Sequence, residues 1–390
     1  MLITGGCVHD GLGHAPRPAD VRINDEGIIA EVGEGLAPNA GEEVLDATGQ
    51  QVLPGFCQVI SGWGVNGSMT EIRPSSQDND ELSDPITPQL DAFYAFNGRA
   101  ASRQQLGRFG ITSAGVAPTD NNLFGGLVAA FSVDGVNPYK MVLRRDCAMM
   151  ASVNGKALKA AYGKKDKAPQ TRMWIFSSFG EQLRRAAAYE AKPDAAPDDK
   201  LAALRRVTDG ELPLWVSCDS AVAIEHVRAI LERFPAVRLA LVNGYGLRAD
   251  DASWLVERNV PVIVRPANMP LDEPARQLDL GAIASLMQAG VCVAMGGENT
   301  NSFFCREDMI WCAGMLMREL HDSAAVLPSV TSNAAKILGV EGLTGAVEAG
   351  RRADIVLWSD DPLRTYQARV MRTLQAGRTI YREGDEHTWL

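Results

Sequence analysis

The feature that most constrains this chain is an alternation in its middle. Short, nearly all-apolar runs recur at Val52–Ile60, Ile111–Ala117, Leu212–Cys218, Arg238–Asn243, Pro261–Arg265 and Gly290–Gly296. Between them lie segments with helical periodicity. Ala221–Phe234 places apolar residues at 222, 224, 227, 230, 231 and 234, one face of a helix, and Leu247–Arg258 and Asp279–Ala289 read the same way. Apolar strands that alternate with helices are strands buried on both faces, joined by helical crossovers in a parallel sheet. Eight such units close a barrel, and the middle of the chain is long enough for them. Tyr139–Tyr189 carries no clear period.

The two ends have a different texture. Met1–Cys7, Asp20–Asn24, Ile28–Val32 and Glu43–Asp46 read as short strands, with Gly27, Gly33, Gly35 and Gly41 as turns. Asp354–Trp358 and Gly377–Arg382 repeat the pattern. The predicted fold is therefore α/β: a (β/α)8 TIM-type barrel over 54–339, plus a small β-sandwich-like domain made by both termini, 1–53 with 340–390. Tyr189–Asp199, YEAKPDAAPDD, reads as a solvated connection between two helices. Asn301–Leu320 reads as a helix whose Met309, Met315, Met317 and Trp311 fill core space.

Composition narrows the function classes. At 46% hydrophobic and 22% charged, the chain has the material for a large core and is neither disordered nor a disulfide-stapled miniature. A net charge of −10 argues against nucleic acid as a partner. The densest basic group, Lys164, Lys165, Lys167 and Arg172, reads as a solvated face. No apolar run reaches membrane-spanning length, and the start MLITGG lacks a secretory pattern. The seven cysteines, Cys7, Cys57, Cys147, Cys218, Cys292, Cys305 and Cys312, form no CxxC. Together these predict a cytoplasmic protein without disulfides. Phe124-Gly125-Gly126 lacks a following Lys-Ser/Thr and reads as a tight turn at the barrel mouth rather than a phosphate loop. Gly11-Leu12-Gly13-His14 likewise reads as a turn, because no helix pattern follows it.

Five segments together carry a resemblance: QVLPGF at 51–56, NDELSDPITPQ at 79–89, ITSAGVA at 111–117, TSNAAKILG at 331–339 and GAVEAGRRADIVLWSDDP at 345–362. In this order and spacing the chain resembles the metal-dependent amidohydrolase superfamily, in its imidazolonepropionase-like branch, over nearly its whole length. The resemblance implies metal ligands at the C-terminal ends of the barrel strands. These would be an HxH pair after strand one, a carboxylated Lys or a Glu from a middle strand, a His from each of strands five and six, and an Asp from strand eight. They would surround one or two divalent metals, usually Zn²⁺, which lower the pKa of bound water and polarise the scissile carbonyl.

Set against that pattern, Ile60 and Gly62 occupy the two His positions of strand one. Strand five ends Ser217-Cys218-Asp219, strand six Val242-Asn243-Gly244, and strand eight Gly296-Gly297-Glu298-Asn299. Met149 falls at the bridging position, with Lys156 as the alternative. The five histidines, His9, His14, His226, His321 and His387, all fall away from the strand ends. The expectation is that Ile60, Gly62, Met149, Ser217, Asp219, Asn243 and Glu298 are vestigial metal positions and that no metal or other cofactor is bound. Cys218 and Asp219 are adjacent on a strand and point to opposite faces, so Asp219, Asn243 and Glu298 could at most make an oxygen-only set suited to weak Mg²⁺ or Ca²⁺.

The leading expectation is a catalytically silent amidohydrolase relative, a structural or regulatory partner of an active homologue, either homo-oligomeric or in a hetero-oligomer with that homologue. The segment Asn79–Gln89 would serve contact in such an assembly. One alternative is a hydrolase of non-peptide C–N bonds with a rebuilt site, for which Ser217, Cys218, Asp219 and Glu298 are the candidate catalytic residues. Another is a protein that binds a small molecule in the barrel mouth.

Overall fold

A computed structural model describes residues 1–65, 78–100, 103–163, 167–191, 196–265, 278–297 and 308–384. Two sheets organise them. The first uses both ends of the chain: β1 (Leu2–Val8), β2 (Arg17–Ile23), β3 (Ile29–Gly33), β4 (Val44–Asp46) and β5 (Gln51–Pro54) from the start, and β14 (Ile355–Trp358), β15 (Val370–Gln375) and β16 (Arg378–Arg382) from the end. Their order is β16-β15-β14-β5-β1-β2-β3, with β4 on β1. β5 is the seam: it pairs parallel with β1 and antiparallel with β14, Leu53 opposite Val356. The expected β-sandwich-like unit is thus one mixed sheet. Its buried cluster includes Ile3, Val21, Val52, Ile355 and Leu374.

The second sheet is a nearly closed eight-stranded barrel: β6 (Phe56–Ser61), β7 (Ile111–Val116), β8 (Phe124–Ser132), β9 (Val142–Ser152), β10 (Leu214–Ser217), β11 (Leu239–Val242), β12 (Val262–Val264) and β13 (Val293–Met295). The Gly297 N–H donates to the Ile60 carbonyl at 2.7 Å, which joins the last strand to the first at the mouth. The run expected as one strand over 52–60 divides at Gly55, so its first half belongs to the terminal sheet and its second half to the barrel.

Strand alternation sorts side chains into two layers. Trp215, Val242, Ile263 and Ala294 point into the barrel, where Ala334, Ala335 and Leu338 of the helix Ser332–Leu338 join them. Leu214, Val216, Leu241, Val262, Val264, Val293 and Met295 face outward into the large cluster shared with the helices. Those helices include Arg172–Ala187, Ala221–Leu231 and Leu280–Gln288, the last two close to the segments their periodicity predicts. The helices Arg172–Ala187 and Asp199–Thr208 flank the Pro/Ala/Asp connection, of which residues 192–195 lie outside the described set.

One strand departs from the expected all-parallel barrel. β8 pairs antiparallel with both β7 and β9, so short connections rather than helical crossovers flank it. Phe124-Gly125-Gly126 is accordingly not a turn but the start of β8. Gly126 has φ +129°, and a Cβ there would lie 2.5 Å from the Leu90 carbonyl oxygen. The glycine lets the segment around 86–91 lie directly on the strand, where Ile86 bridges Phe124 and Asp91 bridges Leu127. Among the described residues no helix is long and apolar enough to cross a membrane.

Candidate functional site

The ends of five strands, β7, β9, β10, β11 and β12, meet in one polar belt at the barrel mouth. It is centred on Asp120, in the connection after β7. Asp120 Oδ2 accepts from Ser217 Oγ, at the end of β10, at 3.1 Å, and from Asn154 Nδ2, beyond β9, at 3.2 Å. Arg265, directly after β12, brings Nη1 to 3.6 Å of the same oxygen. Asn243, directly after β11, donates from Nδ2 to Ser217 Oγ at 2.8 Å. The pair is screened from water: the Arg265 and Asp120 side chains are 9% and 15% exposed.

Local structure fixes three of the members. Asn154 is two-headed: its Oδ1 accepts from the Lys156 and Ala157 N–H groups at 3.2 Å and so caps the helix Gly155–Gly163, which aims Nδ2 at Asp120. Asn243 sits at φ +86°, a left-handed conformation that asparagine tolerates better than most residues. Ser217 follows inward-facing Trp215 by two positions, so strand alternation turns its hydroxyl inward.

The residues expected from sequence have separate fates. Ser217 and Asn243 lie in the belt. Asp219 does not. Its carboxylate takes both oxygens' worth of contact from Arg172 Nη2, at 2.9 and 3.0 Å, and accepts from the Gly155 N–H and Ser220 Oγ at 3.0 Å each. It is a clasp between the end of β10 and the starts of two helices. Arg172, expected on a solvated face, is the other half of that clasp, while Lys164 and Lys165 lie outside the described residues.

Cys218 packs in the outer cluster at 1% exposure. Burial, and then the charge of Asp219, raise its thiol pKa far above the usual range, so it carries no thiolate near neutral pH. Met149 also faces the outer cluster, whereas the residue of that strand which reaches the mouth is Asn154. Lys156 is exposed on the helix Gly155–Gly163. Ile60 is fully buried among the inner apolar side chains, and Gly62 is buried beside it. Glu298 lies outside the described residues.

The described histidines serve elsewhere. His9 bonds Gln51 through Nε2 at 2.8 Å, His14 bonds Asp10, His226 packs edge-on against Phe176, and His321 ends the helix Asp308–Leu320. His387 lies outside the described residues. The segment 79–89 is held by this chain itself: Thr119 Oγ1 and Asn121 Nδ2 each donate to Asp80 at 2.7 Å, and Lys200 pairs with Asp84.

Sequence reasoning did not assign Asp120, Asn154 or Arg265 to the site. The signal was present: each is the first strongly polar side chain past the apolar part of its strand, in PTD, SVN and VIVR.

A model of the amidohydrolase family matches residues 220–380. A 5'-deoxyadenosine deaminase of Methanothermobacter thermautotrophicus is 24% identical over 99% of this chain and 94% of its own length. Over residues 220–380 the chain is similar to the amidohydrolase family. Two local matches are stronger in identity. A 5-methylthioadenosine/S-adenosylhomocysteine deaminase of Desulforudis audaxviator is 30% identical over 33% of this chain and 31% of its own length. An imidazolonepropionase of Rubrobacter xylanophilus is 33% identical over 31% and 28%. The chain therefore spans less than a third of either protein in these matches. Among solved structures, an amidohydrolase from Thermotoga maritima superposes with a TM-score of 0.86 at 24% identity over 98% of this chain and 99% of that one, a likeness of fold.

Given the likeness to the amidohydrolase family, the test is whether these strand ends suit a divalent metal. At the positions the resemblance marks, the described side chains are an isoleucine, a glycine, a methionine, a serine hydroxyl, an asparagine amide and the Asp219 carboxylate, which Arg172 and the Gly155 N–H hold outside the belt. Among the described residues no three His, Cys, Asp or Glu side chains converge. The carboxylate of the belt, Asp120, faces a guanidinium, which occupies the electrostatic place a cation would take. This described donor set does not fit Zn²⁺.

The same burial argument gives a chemical prediction. Cys57 and Cys147, both in the inner cluster, have thiols pushed up to about 12, chiefly by burial. In the native protein at pH 7.5, a thiol-reactive aromatic disulfide should leave Cys57, Cys147 and Cys218 unlabelled while reaching half-buried Cys7 and Cys292. Peptide mapping of the labelled chain checks this. Rapid native labelling of Cys218 would revive it as a nucleophile.

Proposed function

We propose that this chain has left the metal-assisted hydrolysis of its superfamily. In this reading it is catalytically silent and acts as a structural or regulatory partner of an active amidohydrolase homologue. The observation that supports the reading is the Arg265–Asp120 pair. A site that must hold a divalent metal and activate water would not set a buried guanidinium against its carboxylate, because the two cations would compete for one anion. The Ser217 hydroxyl supports it too: its single proton is given to Asp120, and it accepts from Asn243, so the oxygen is held inside a closed relay.

The test is metal content and turnover on the same purified full-length chain. After incubation with Zn²⁺ and desalting, we expect less than about a tenth of an equivalent retained. We expect no ammonia release from 5'-deoxyadenosine or 5'-methylthioadenosine and no ring opening of imidazolonepropionate. Mixed with an active homologue, the chain should co-elute with it on size exclusion or change its rate. One or two tightly held equivalents together with turnover would overturn the reading.

A second reading, a hydrolase of C–N bonds with a rebuilt site, is favoured by one finding: the likeness to a deaminase extends over 99% of the chain. It requires an activity that chelators leave intact and that Asp120→Asn abolishes.

A further inference from the structure

Away from the barrel mouth, a cavity of about 310 Å³ lies between the helix Asp308–Leu320, the loop after the helix Arg103–Arg108, and the terminal sheet. Trp358, Trp311 and Tyr366 line it, together with Arg108, Arg369 and Glu383. Trp311 is 50% and Tyr366 84% exposed, so two large aromatic faces stand open at its rim.

Two groups at the cavity lack a partner among the described residues. Trp358 is only 4% exposed, yet its indole N–H has no hydrogen-bond partner among the described residues. The ring itself is fixed: Phe56 lies 5.7 Å away between centroids, and Gly110 allows the approach, since a Cβ there would lie 2.9 Å from the indole. A buried donor left unpaired forfeits its hydration without replacement, so such groups call for a partner. The second group is Arg108. It forms no ion pair among the described residues, whereas Arg369 on the other side already faces Glu383 at 3.4 Å.

We propose that this cavity binds a small planar aromatic molecule that carries a carboxylate. The ring would lie against Trp311 and Tyr366, the carboxylate would meet Arg108, and the Trp358 N–H, closed off in the free protein, would gain an acceptor on the molecule as the cavity adjusts around it. Aromatic faces supply stacking area, a charge-assisted bond to arginine supplies orientation, and the volume is at the lower end of ligand pockets, the size of one or two fused rings. The site is separate from the Asp120 belt and does not depend on whether that belt is silent.

Indole-3-acetate is the probe, with neutral indole-3-acetamide as its control, titrated calorimetrically into the full-length chain. Saturable binding of the acid is expected, at least tenfold tighter than the amide. Trp358→Phe keeps the ring and removes the N–H, and Arg108→Gln removes the charge. Each should weaken the acid about tenfold, and Trp311→Ala should weaken both probes. Arg108 and Trp311 lie at the surface, so those two variants test the idea even if Trp358→Phe fails to fold. No saturable binding up to millimolar probe, equal affinity for acid and amide, or affinities unmoved by Arg108→Gln and Trp311→Ala would each overturn the proposal.

Discussion

Replacing Asp354 by alanine should lower the free energy of unfolding by about 3–5 kcal/mol, the range found when one partner of a buried ion pair is removed. Asp354 stands at the start of β14 and is 1% exposed. Its carboxylate accepts from Arg352 Nε at 2.9 Å on both oxygens, from Thr344 Oγ1 at 2.7 Å and from the Ala376 N–H at 3.0 Å. Three separate stretches of chain are thereby held to one side chain. Alanine strands a guanidinium whose side chain is only 16% exposed, a buried hydroxyl and a backbone N–H in a left-handed turn. The midpoint of thermal unfolding should fall on the order of 10 °C, at roughly 2–4 °C per kcal/mol. Asp354→Asn keeps an acceptor and should cost less. A midpoint within about 2 °C of the parent for the alanine variant would mean that the cluster adds little beyond solvation.

That anchor lies in the segment GRRADIVLW, which the sequence marks well, and the contrast with other regions shows what a sequence carries. Strands whose both faces are buried and whose flanks are helical announce themselves as isolated apolar runs, as at Leu214–Ser217, Leu239–Val242 and Val262–Val264. β8 and β9 do not, because only the single-turn helix Pro138–Met141 separates them. The run FGGLVAAFS passes into Pro138–Met141 and then VLRRDCAMMAS, whose first half carries charges where the strand extends past the covered part of the barrel. The Gly pair at the head of β8 mimics a turn because it serves a close crossing by the segment near Leu90, and that crossing is invisible without coordinates.

For the site the limit is similar. Reading strand ends against a metal pattern picks out Ser217 and Asn243, which the belt contains. It also picks out Asp219, whose direction one residue past the strand is decided by Arg172 and the Gly155 N–H rather than by alternation. Asp120, Asn154 and Arg265 stand where the pattern has no ligand, so only their convergence in space reveals them.

Stability is also the sharper discriminator between a silent mouth and a working one. Catalytic centres keep like charges, strained side chains and unsatisfied groups for the sake of turnover, so removing a catalytic carboxylate often leaves stability unchanged or raises it. The Asp120 belt has the opposite build: the carboxylate is matched by a guanidinium and by two neutral donors. Asp120→Ala should therefore destabilise the chain, by about 2–3 kcal/mol, because it takes the facing carboxylate from an arginine that is 7% exposed and removes the acceptor shared by Ser217 and Asn154. Ser217→Ala breaks one link of the relay and should cost about 1 kcal/mol. If the two residues act as one network, the double variant should cost less than the sum of the singles. Urea unfolding of the three variants measures this directly. An Asp120→Ala chain as stable as the parent, or more so, would show that the mouth holds its charge at a cost, as a reacting site does, and the hydrolase reading would then have the stronger claim.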